Sequence, residues 1–381
     1  MLIISGSEIG LAADLEDLLK TIKAVERQGK GNIEAQQAVQ ELSKNDGAVL
    51  VPLLKAFDGA NPLAVNWLRG AFEVIADREI QKNAGLPASQ LEAFIKDTAQ
   101  DPRARRVAYE WLSKVDTGLS DRLVPGMLND PSPEFRRDAV SRLIEKAKSL
   151  DAEKQRDEIV QIYREALRGA TDKDQVAAIV EPLKKLGQDV DLKAHFGFLT
   201  QWFVLGPFDN HEGMGFNSSY PPEEGVDLTA KYKGQLGEVE WKPLGTNDDY
   251  GMIDIAKSVG PHKGAAIYMT TEFSTPVHKK VQIRLGTPNA WKLWVNGKLA
   301  FAREEYHRGS GLDQYKVQTE LKPGRNVLLL KICQNEQKED WAQDYKVQLR
   351  VCDPSGVSVL SSDTNKDRTS ANVPAKTSVE R

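Results

Sequence analysis

The alternation of hydrophobic and polar positions divides the chain into a helical first part and a β-rich second part. From Asp14 to about Leu150, apolar residues recur at intervals of three and four, beginning with Leu15, Leu18, Leu19, Ile22 and Val25. This spacing places apolar side chains on one face of a helix. From Thr200 onward, apolar and polar positions alternate, which is typical of half-buried strands. The pattern predicts an α + β chain with the helices first.

Within the helical part, pairs of predicted helices recur with an Asx-Pro dipeptide between their members. The dipeptides are Asn61-Pro62, Asp101-Pro102 and Asp130-Pro131. An Asx side chain can cap the first amide groups of a helix, and proline suits the first turn. A shorter apolar helix is predicted before each dipeptide, and the units recur at roughly 30- to 40-residue intervals. Helix pairs that recur in this way predict an α-solenoid.

These units resemble HEAT-type repeats of the short bacterial kind, in which an Asp-Pro dipeptide, basic residues and a small alanine mark the second helix. The matching residues are Arg103, Arg105, Arg106 and Ala108 in one unit, and Arg136, Arg137 and Ala139 in the next. The first unit departs from this pattern, because Trp67, Arg69 and Ala71 follow its proline. The resemblance implies a helical repeat domain over residues 14–195, with a protein partner as the expected ligand of its inner helices.

The two arginine pairs on the predicted second helices allow two interpretations. Arg105-Arg106 and Arg136-Arg137 could line a concave binding face of the solenoid. They could instead form ion pairs within the repeats or lie on a solvated face. The second interpretation is favoured.

Turn signals organise the β-rich part, whose central stretch covers residues 281–332. Asn296-Gly297 lies between alternating apolar residues, and this dipeptide tolerates the positive φ angles of a tight hairpin. Pro323-Gly324 precedes another β-rich run and predicts a second hairpin. Gly206-Pro207 is expected to end the first strand of the region. Seven or more short strands with turns between them predict an antiparallel β-sandwich.

Residues 200–355 resemble galactose-binding-like jelly-roll domains, which occur in β-galactosidase-type glycosidases and in carbohydrate-binding modules. The similarity rests on the W-V-N-G-K turn at 294–298 and on the L-K-P-G-R-N-V-L-L-L-K segment at 321–331. It implies a jelly-roll β-sandwich with carbohydrate as the expected ligand. Such modules often hold a structural calcium ion, and the acidic loops 209–212 and 247–249 offer oxygen atoms of the kind calcium prefers. Solvated turns are the favoured alternative, and no cofactor is predicted.

Aromatic residues in loops are the best candidates for ligand contacts, because a sugar ring can stack on an exposed aromatic face. Trp291 follows a turn and Tyr306 lies in a loop between strands, so both are expected to be exposed. Trp202 and Trp294 occupy alternating strand positions and are expected in the core. The predicted ligand-binding set is Trp291, Tyr306, Arg308 and Asp313. The alternative is that these aromatic residues pack in the core.

Charge and motif content narrow the functional classes. The formal net charge of −4 does not predict nucleic-acid binding, which usually needs a basic face. No apolar run approaches the roughly 20 residues of a membrane-spanning helix. Metal-ligand histidine pairs, a nucleophile elbow and a phosphate-binding loop are absent from the sequence, so neither a catalytic nor a metal site is predicted.

The two cysteines are predicted to remain free thiols. Antiparallel pairing of residues 326–334 with 344–352 would place Cys352 opposite Asn326 and far from Cys333. The sulfur atoms would then be too distant for a disulfide.

The two ends of the sequence differ in character from the rest of it. Residues 10–13 resemble the small-residue end of a signal peptide, and residues 1–4 are apolar without a preceding basic region. A truncated signal peptide and an ordinary terminus are both open, and export to the periplasm or beyond is slightly favoured over the cytoplasm. The polar segment 361–381 lacks hydrophobic periodicity and is predicted to be disordered.

Both predicted architectures are binding architectures, and neither carries a recognisable active site. We therefore expect a non-enzymatic binding or scaffolding protein that binds carbohydrate through its β-sandwich. One alternative is a protein-interaction scaffold in which the solenoid binds and the sandwich is structural. Another is a glycan-processing enzyme or an accessory subunit of one.

Overall fold

The computed structural model describes the backbone of residues 6–363 and side chains from residue 14 onward. The described chain forms two compact units, one ending at Gln175 and the other beginning at Val176. The first is helical and the second contains antiparallel sheets, so the predicted α + β class is confirmed. Segment 1–4 and most of the polar segment 361–381 lie outside the described residues. Among the described helices, none is long and apolar enough to cross a membrane.

Within residues 6–363, the helices fall mostly in the first unit and the strands all fall in the second. The α-helices are α1 (Gly6–Lys23), α2 (Asn32–Leu42), α3 (Leu50–Lys55), α4 (Pro62–Gln81), α5 (Ala88–Lys96), α6 (Pro102–Leu112), α7 (Leu119–Leu123), α8 (Pro133–Ser149), α9 (Arg156–Gly169), α10 (Lys173–Lys185), α11 (Leu192–Phe196), α12 (Met214–Asn217) and α13 (Ile255–Ser258). The strands are β1 (Gln201–Asp209), β2 (Lys231–Lys233), β3 (Glu238–Glu240), β4 (Lys242–Gly245), β5 (Ile253–Asp254), β6 (Ala265–Thr275), β7 (Lys279–Gly286), β8 (Ala290–Val295), β9 (Lys298–Arg303), β10 (Tyr315–Leu321), β11 (Gly324–Gln334) and β12 (Lys346–Cys352). The division between the units falls inside α10.

The Asx-Pro dipeptides begin two of the three helices predicted from them. Asn61 accepts hydrogen bonds from the backbone amides of Leu63 and Ala64 at 2.9 and 3.0 Å, and α4 begins at Pro62. Asp101 caps α6 in the same way. These caps satisfy amide groups that the helix itself leaves without partners. The shorter helices α3, α5 and α7 precede the dipeptides as predicted.

The third helix, α8, begins later than its dipeptide predicts, at Pro133 rather than Pro131. Asp130 does not cap α8, because its carboxylate binds the guanidinium of Arg105 and the backbone amide of Ser132. An Asx-Pro dipeptide therefore marks the start of this helix only to within two residues.

Ion pairs join successive second helices of the first unit. An arginine on each helix contacts a carboxylate on the next: Arg69 with Glu110, Arg106 with Asp138, and Arg137 with Asp174. Arg105 is buried against Asp130 instead of facing solvent. Arg105, Arg106 and Arg137 are therefore ion-paired with neighbouring acids, but the pairs join successive helix pairs instead of lying within one repeat as predicted.

The strands described for the second unit form three antiparallel sheets. One has six strands in the order β4-β1-β6-β11-β8-β9, the second has four in the order β10-β7-β12-β5, and the third is the β2-β3 pair. Apolar side chains from the six- and four-stranded sheets form one shared core, which includes Ile283, Leu330 and Leu349. Strands β6, β11 and β12 are buried along almost their whole length on both faces, so the alternation expected from sequence does not describe their burial.

The two predicted hairpins have different outcomes. Asn296 and Gly297 adopt φ values of 52° and 78° and connect the paired strands β8 and β9, as predicted. Pro323-Gly324 does form a turn, but β10 pairs with β7 while β11 pairs with β6 and β8. The second hairpin prediction is therefore wrong, because the chain passes here from one sheet to the other. Buried Asn326 stabilises the crossing, since its side chain bonds the backbone of Lys322 and Phe273.

The first strand of the β region continues past Gly206-Pro207, where the sequence predicted its end. The pairing of β1 with β6 shifts between Leu205 and Phe208, which identifies a β-bulge. Gly206 has a φ of 138°, and a Cβ there would lie 2.8 Å from Ile267 Cδ1. Glycine is thus required at this bulge by both backbone conformation and space.

The outer face of the six-stranded sheet is covered by its own chain, in a stretch that we call the cover segment (residues 216–241). Apolar and aromatic side chains of this segment pack on the sheet; they include Phe216, Tyr220 and Trp241. Lys331 on β11 is fully buried beneath it and donates hydrogen bonds to Ser218 O at 2.7 Å and Glu223 Oε1 at 2.8 Å. The cover segment therefore removes this sheet face from solvent.

The prediction of two free thiols is confirmed, but the predicted pairing of residues 326–334 with 344–352 is wrong. The strand that carries Cys333, β11, lies in the six-stranded sheet, whereas β12 with Cys352 lies in the four-stranded sheet. Both side chains are buried and both thiols are free. The absence of a disulfide therefore follows from separation between sheets, since a disulfide requires close approach of the two strands.

Candidate functional site

Three loops emerge at one end of the six-stranded sheet, and we call this region the loop end. Its loops are 210–217 after β1, 304–314 after β9 and 335–345 after β11. The register places them together, because Ala265 pairs with both Asp209 and Gln334 at this edge. Trp291 and Arg303 pair at the same end of β8 and β9. Loops that are held by a rigid sheet are common places for binding residues.

Hydrogen bonds tie the three loops to one another. The buried Asn210 donates from its backbone amide to Gly264 O at 2.7 Å. Its Nδ2 donates to the Tyr306 hydroxyl at 3.2 Å and to Gln334 O at 3.1 Å. One amide side chain therefore links the loops that follow β1, β9 and β11.

Trp291 does not offer the exposed aromatic face that its position predicted. Its side chain is 0% exposed and stacks on Phe301, with ring centroids 4.9 Å apart and an interplanar angle of 25°. Strand β8 begins one residue earlier than the turn suggests, so Trp291 points inward together with Leu293 and Val295. The predicted exposure of Trp291 is therefore wrong.

Asp313 is also occupied by other contacts. It accepts hydrogen bonds from Arg350 at 2.7 Å and from Arg284 at 2.6 Å. Burial alone would raise the pKa of the Asp313 carboxyl, but the hydrogen bonds and charges of the two arginines lower it overall. This carboxylate is held within the protein by two largely buried guanidinium groups, so its part in ligand contact is not supported.

Tyr306 and Arg308 keep their predicted place in the loop that follows β9. Tyr306 is half-buried, and burial raises its pKa to about 12, so its hydroxyl stays protonated near neutral pH. Arg308 is exposed and contacts Glu305 at 3.3 Å. Of the four predicted site residues, these two lie at the loop end without being enclosed like Trp291 or held by two buried arginines like Asp313.

Trp341 is the aromatic residue that the sequence interpretation missed. It is 62% exposed, while the other six tryptophans are buried or half-buried. It lies in a short 3-10 turn, Asp340–Ala342, whose last residue is fully buried. The Ala342 carbonyl accepts hydrogen bonds from Gln334 and Lys263 at 3.1 and 2.9 Å, which holds the turn in place. The available signal was a tryptophan in the polar stretch between two strands.

His307 connects Trp341 to the loop that follows β9. The two rings meet edge to face, with centroids 5.2 Å apart and an interplanar angle of 90°. A ring nitrogen of His307 lies 2.8 Å from Asn335 Oδ1, which ties the histidine to the loop that carries Trp341. The contact fixes Trp341 from one side and leaves much of its surface open.

Two carboxylates of the same three loops have defined neighbours. Glu336 accepts a hydrogen bond from the Glu212 backbone amide at 2.5 Å and lies 3.3 Å from His211 Nδ1. Glu304 is exposed, and a Cβ added at Gly213 would lie 3.5 Å from its Oε1 and 3.9 Å from the Tyr306 hydroxyl. The arrangement offers an apolar ring for stacking and several acceptors for hydroxyl or ammonium groups.

The described residues contain no group of three or more histidine, cysteine, aspartate or glutamate side chains that could hold a metal ion. In the two loops with calcium-type oxygen atoms, the carboxylates cap turns of their own chain. Asp209 accepts from the His211 amide, and Asp248 accepts from the amides of Tyr250 and Met252. These contacts favour the solvated-turn interpretation of both loops.

Comparisons with known proteins give no family assignment. No protein-family model matches the chain, and no curated protein matches it. A solved β-glucosidase from Kluyveromyces marxianus is 9% identical, covering 45% of this chain and 21% of its own, with a TM-score of 0.26. A Faecalibacterium prausnitzii β-glucuronidase is 14% identical, covering 36% of this chain and 21% of its own, with a TM-score of 0.22.

A third similarity, to the Pseudomonas fluorescens alkylpurine DNA glycosylase AlkC bound to DNA, covers 91% of this chain and 95% of that one. The identity is 11% and the TM-score is 0.23. The chain spans about a fifth of the length of each of the two glycoside-cleaving enzymes. At TM-scores this low, the similarities carry no argument about function.

Proposed function

We propose that this chain is a non-enzymatic binding protein whose β unit binds carbohydrate at the loop end. The observation that carries the proposal is Trp341, an exposed aromatic ring on a turn held by hydrogen bonds to neighbouring loops. The proposal includes a galactose-binding-like jelly-roll for the β unit and HEAT-like repeats for the helical unit. The W-V-N-G-K turn supports the jelly-roll. The arginine-to-carboxylate pairs between successive second helices support the HEAT-like repeats.

Trp341 suits a sugar because its side chain combines a large apolar face with low conformational entropy. A pyranose ring can place its C–H face on the indole while neighbouring polar groups bond its hydroxyls. Tyr306 and Arg308 supply donors and acceptors nearby, and Glu304 and Glu336 supply acceptors. A single stacked ring with a few polar contacts supports an affinity between millimolar and micromolar, on the order of 4–8 kcal/mol.

The same residues favour binding over catalysis. A glycosidase needs two carboxyl groups that face each other across the scissile bond. Glu336 is instead engaged by the Glu212 amide and His211. These contacts of Glu336 support the proposal that the protein is not an enzyme. The alternative that uses the same binding site is an accessory subunit of a glycan-processing enzyme.

The direct test is a glycan-array screen of the whole chain, followed by titration of any glycan that binds. We expect Trp341→Ala to lower the affinity at least tenfold without changing the thermal unfolding temperature. The matched control is Val277→Ala, since Val277 is 57% exposed but follows β6 at the opposite end of the sheet. If Trp341→Ala binds as tightly as the parent, the loop end is not the carbohydrate site.

A second candidate function is a protein-interaction scaffold formed by the helical unit. The observation that favours it is an apolar stripe on α4, where Leu63 and Val74 are exposed and Trp67 is half-buried. Residues at these spacings share one helix face. Crosslinking with mass spectrometry in extracts of the native organism tests it. A partner crosslinked next to α4 and lost in Val74→Glu supports the scaffold, and crosslinks confined to the β unit contradict it.

We also propose that the protein acts outside the cytoplasm, in the periplasm or beyond. The small-residue segment 10–13 is the sequence feature that supports export. Cell fractionation with an antibody against the chain tests this, and recovery in the cytoplasmic fraction alone would contradict it.

A further inference from the structure

The loop end is richer in acidic residues than the chain as a whole. Its three loops contain eight carboxylates and two basic side chains, a net charge of −6 with histidine neutral, against −4 for the whole chain. Ion pairs compensate three of these carboxylates: Glu305 contacts Arg303 and Arg308, Asp344 contacts Lys346, and Asp313 lies between Arg284 and Arg350. Five carboxylates of the three loops and Lys338 lie outside these pairs, so an excess of negative charge remains. Glu212, Glu304, Glu336 and Asp340 lie in the three loops of the loop end, and Asp340 is next to Trp341 in sequence. An anionic surface of this kind attracts cations and repels anions.

The aromatic residue adds a second attraction for cations that is independent of the carboxylates. The face of an indole ring binds ammonium groups through its quadrupole, and the contact strengthens where solvent is partly excluded. Trp341 offers such a face, and His307 restricts its motion on one side. Stacking of a sugar ring and attraction of an ammonium group can therefore act at the same residue.

A buried acceptor among the same loops gives an observation independent of surface charge. Asn210 is 0% exposed, and its Nδ2 is fully used by Tyr306 and Gln334. Its Oδ1 has no hydrogen-bond partner among the residues that the structure describes. A buried acceptor without a partner is costly unless a donor reaches it. Hydroxyl and ammonium groups of a glycan can both donate to such an acceptor, so it favours a donor-bearing ligand and leaves the choice between glycans to the surface charge.

We propose, on the basis of the carbohydrate-binding function above, that the loop end selects a glycan with free ammonium groups, such as a glucosamine oligomer. Neutral N-acetylated oligomers bind more weakly because they lose the charge attraction but keep the stacking. Uronate oligomers bind most weakly because their carboxylates face those of the loops.

The test compares three probes with the whole chain: a glucosamine hexamer, an N-acetylglucosamine hexamer and a galacturonate hexamer. Titrations at about pH 5.5 keep surface carboxylates and amines ionised. We expect the glucosamine hexamer to bind at least fivefold more tightly than the acetylated one at low salt. The difference should shrink as the salt concentration rises, since exposed charges are screened.

Two charge variants locate the preference. Glu304→Gln and Glu336→Gln should each weaken binding of the glucosamine hexamer about two- to fivefold and leave the acetylated hexamer nearly unchanged. The control is Glu320→Gln, an exposed carboxylate on β10 of the other sheet that contacts His278. Trp341→Ala should weaken both hexamers, because it removes the stacking surface they share.

The outcomes separate this inference from the proposed function. The charge selection is wrong if the glucosamine and N-acetylglucosamine hexamers bind equally, or if the galacturonate hexamer binds most tightly. In either case, binding that is lost in Trp341→Ala would still support the carbohydrate function. If no probe binds and the glycan array is also blank, both proposals are wrong. Glucosamine binding that is insensitive to Glu304→Gln and Glu336→Gln overturns the assignment to the loop end.

Discussion

Arg105 on α6 binds both carboxylate oxygens of Asp130, at 2.9 and 2.7 Å, although the two residues lie 25 positions apart in sequence. Both side chains are nearly inaccessible, with exposures of 1% and 4%. The Arg105 Nε also donates to Ile95 O at 2.7 Å. This bidentate pair joins two successive helix pairs of the helical unit, and it also explains why α8 begins after Asp130 rather than being capped by it.

The first prediction concerns this buried pair. We expect Asp130→Ala to destabilise the helical unit by about 3–5 kcal/mol, because it leaves the guanidinium of Arg105 buried without its counter-charge. Combining it with Arg105→Met should cost less than the sum of the single changes, since the buried charge is removed as well. Urea unfolding followed by far-UV circular dichroism measures the effect.

The exposed pair Arg137–Asp174 is the matched control for that experiment. Its side chains are 44% and 65% exposed, so Arg137→Ala should cost less than about 1 kcal/mol. If Asp130→Ala and Arg137→Ala lower the free energy of unfolding equally, burial does not make the Arg105–Asp130 pair more important for stability than the exposed pair.

The second prediction concerns Lys331 beneath the cover segment. Its ammonium group bonds Glu223 Oε1 and the carbonyls of Phe216 and Ser218, and burial lowers its pKa while Glu223 partly opposes this. Glu223→Ala should destabilise the β unit by about 3–5 kcal/mol, because it leaves a buried cation with fewer compensating contacts. Lys331→Met in the same background should recover part of the loss. Hydrogen exchange of residues 216–223 measures whether the cover segment opens, and unchanged protection would contradict the argument.

The third prediction is a pH dependence centred on Asp313. Arg350 and Arg284 hold its pKa in the folded state below the usual value despite burial. The folded state therefore binds this proton less readily than the unfolded chain, and the resulting stability is present above about pH 4 and is lost as the pH falls below it. Asp313→Asn should be less stable than the parent at neutral pH and should show a flatter acid limb. Parallel acid limbs for both proteins would contradict the assignment.

The fourth prediction concerns the thiols of Cys333 and Cys352. Burial raises the pKa of Cys333 to about 12 and also raises that of Cys352, so neither forms the reactive thiolate at neutral pH. We expect no reaction with a thiol-specific reagent in the native protein and two equivalents after unfolding. The detection of a Cys333–Cys352 disulfide by mass spectrometry would contradict the placement of their strands in separate sheets.

Local signals in the sequence predicted local structure well. Asn296-Gly297 requires only its own two φ angles to form a hairpin, and Asn61 and Asp101 cap helices with atoms two and three residues away. Pro323-Gly324 shows the limit of such signals, because a turn is local whereas the sheet joined by each flanking strand is not. The long-range contacts of Asn326 with Phe273 decide that choice.

The candidate site was predicted less well, for a related reason. Trp291 and Trp341 both lie close to strand ends, and their exposure depends on where each strand begins and on which face the first residue points. Trp291 falls inside β8 and turns inward, while buried Ala342 anchors the turn that presents Trp341 outward. A shift of one residue reverses the face of a strand position. The polar composition of 335–345 was the better indicator of exposure.

The most direct test of the carbohydrate-binding account is the chemical protection of Trp341 by ligand. Trp341 is the most accessible of the seven tryptophans, so mild oxidation of the native protein should modify it first, as peptide mass spectrometry can measure. We predict that a saturating glycan, beginning with the glucosamine and N-acetylglucosamine hexamers, slows oxidation at Trp341 at least severalfold and leaves the half-buried Trp67 of the helical unit unchanged. An undiminished oxidation rate at Trp341 while a glycan is bound would contradict the account.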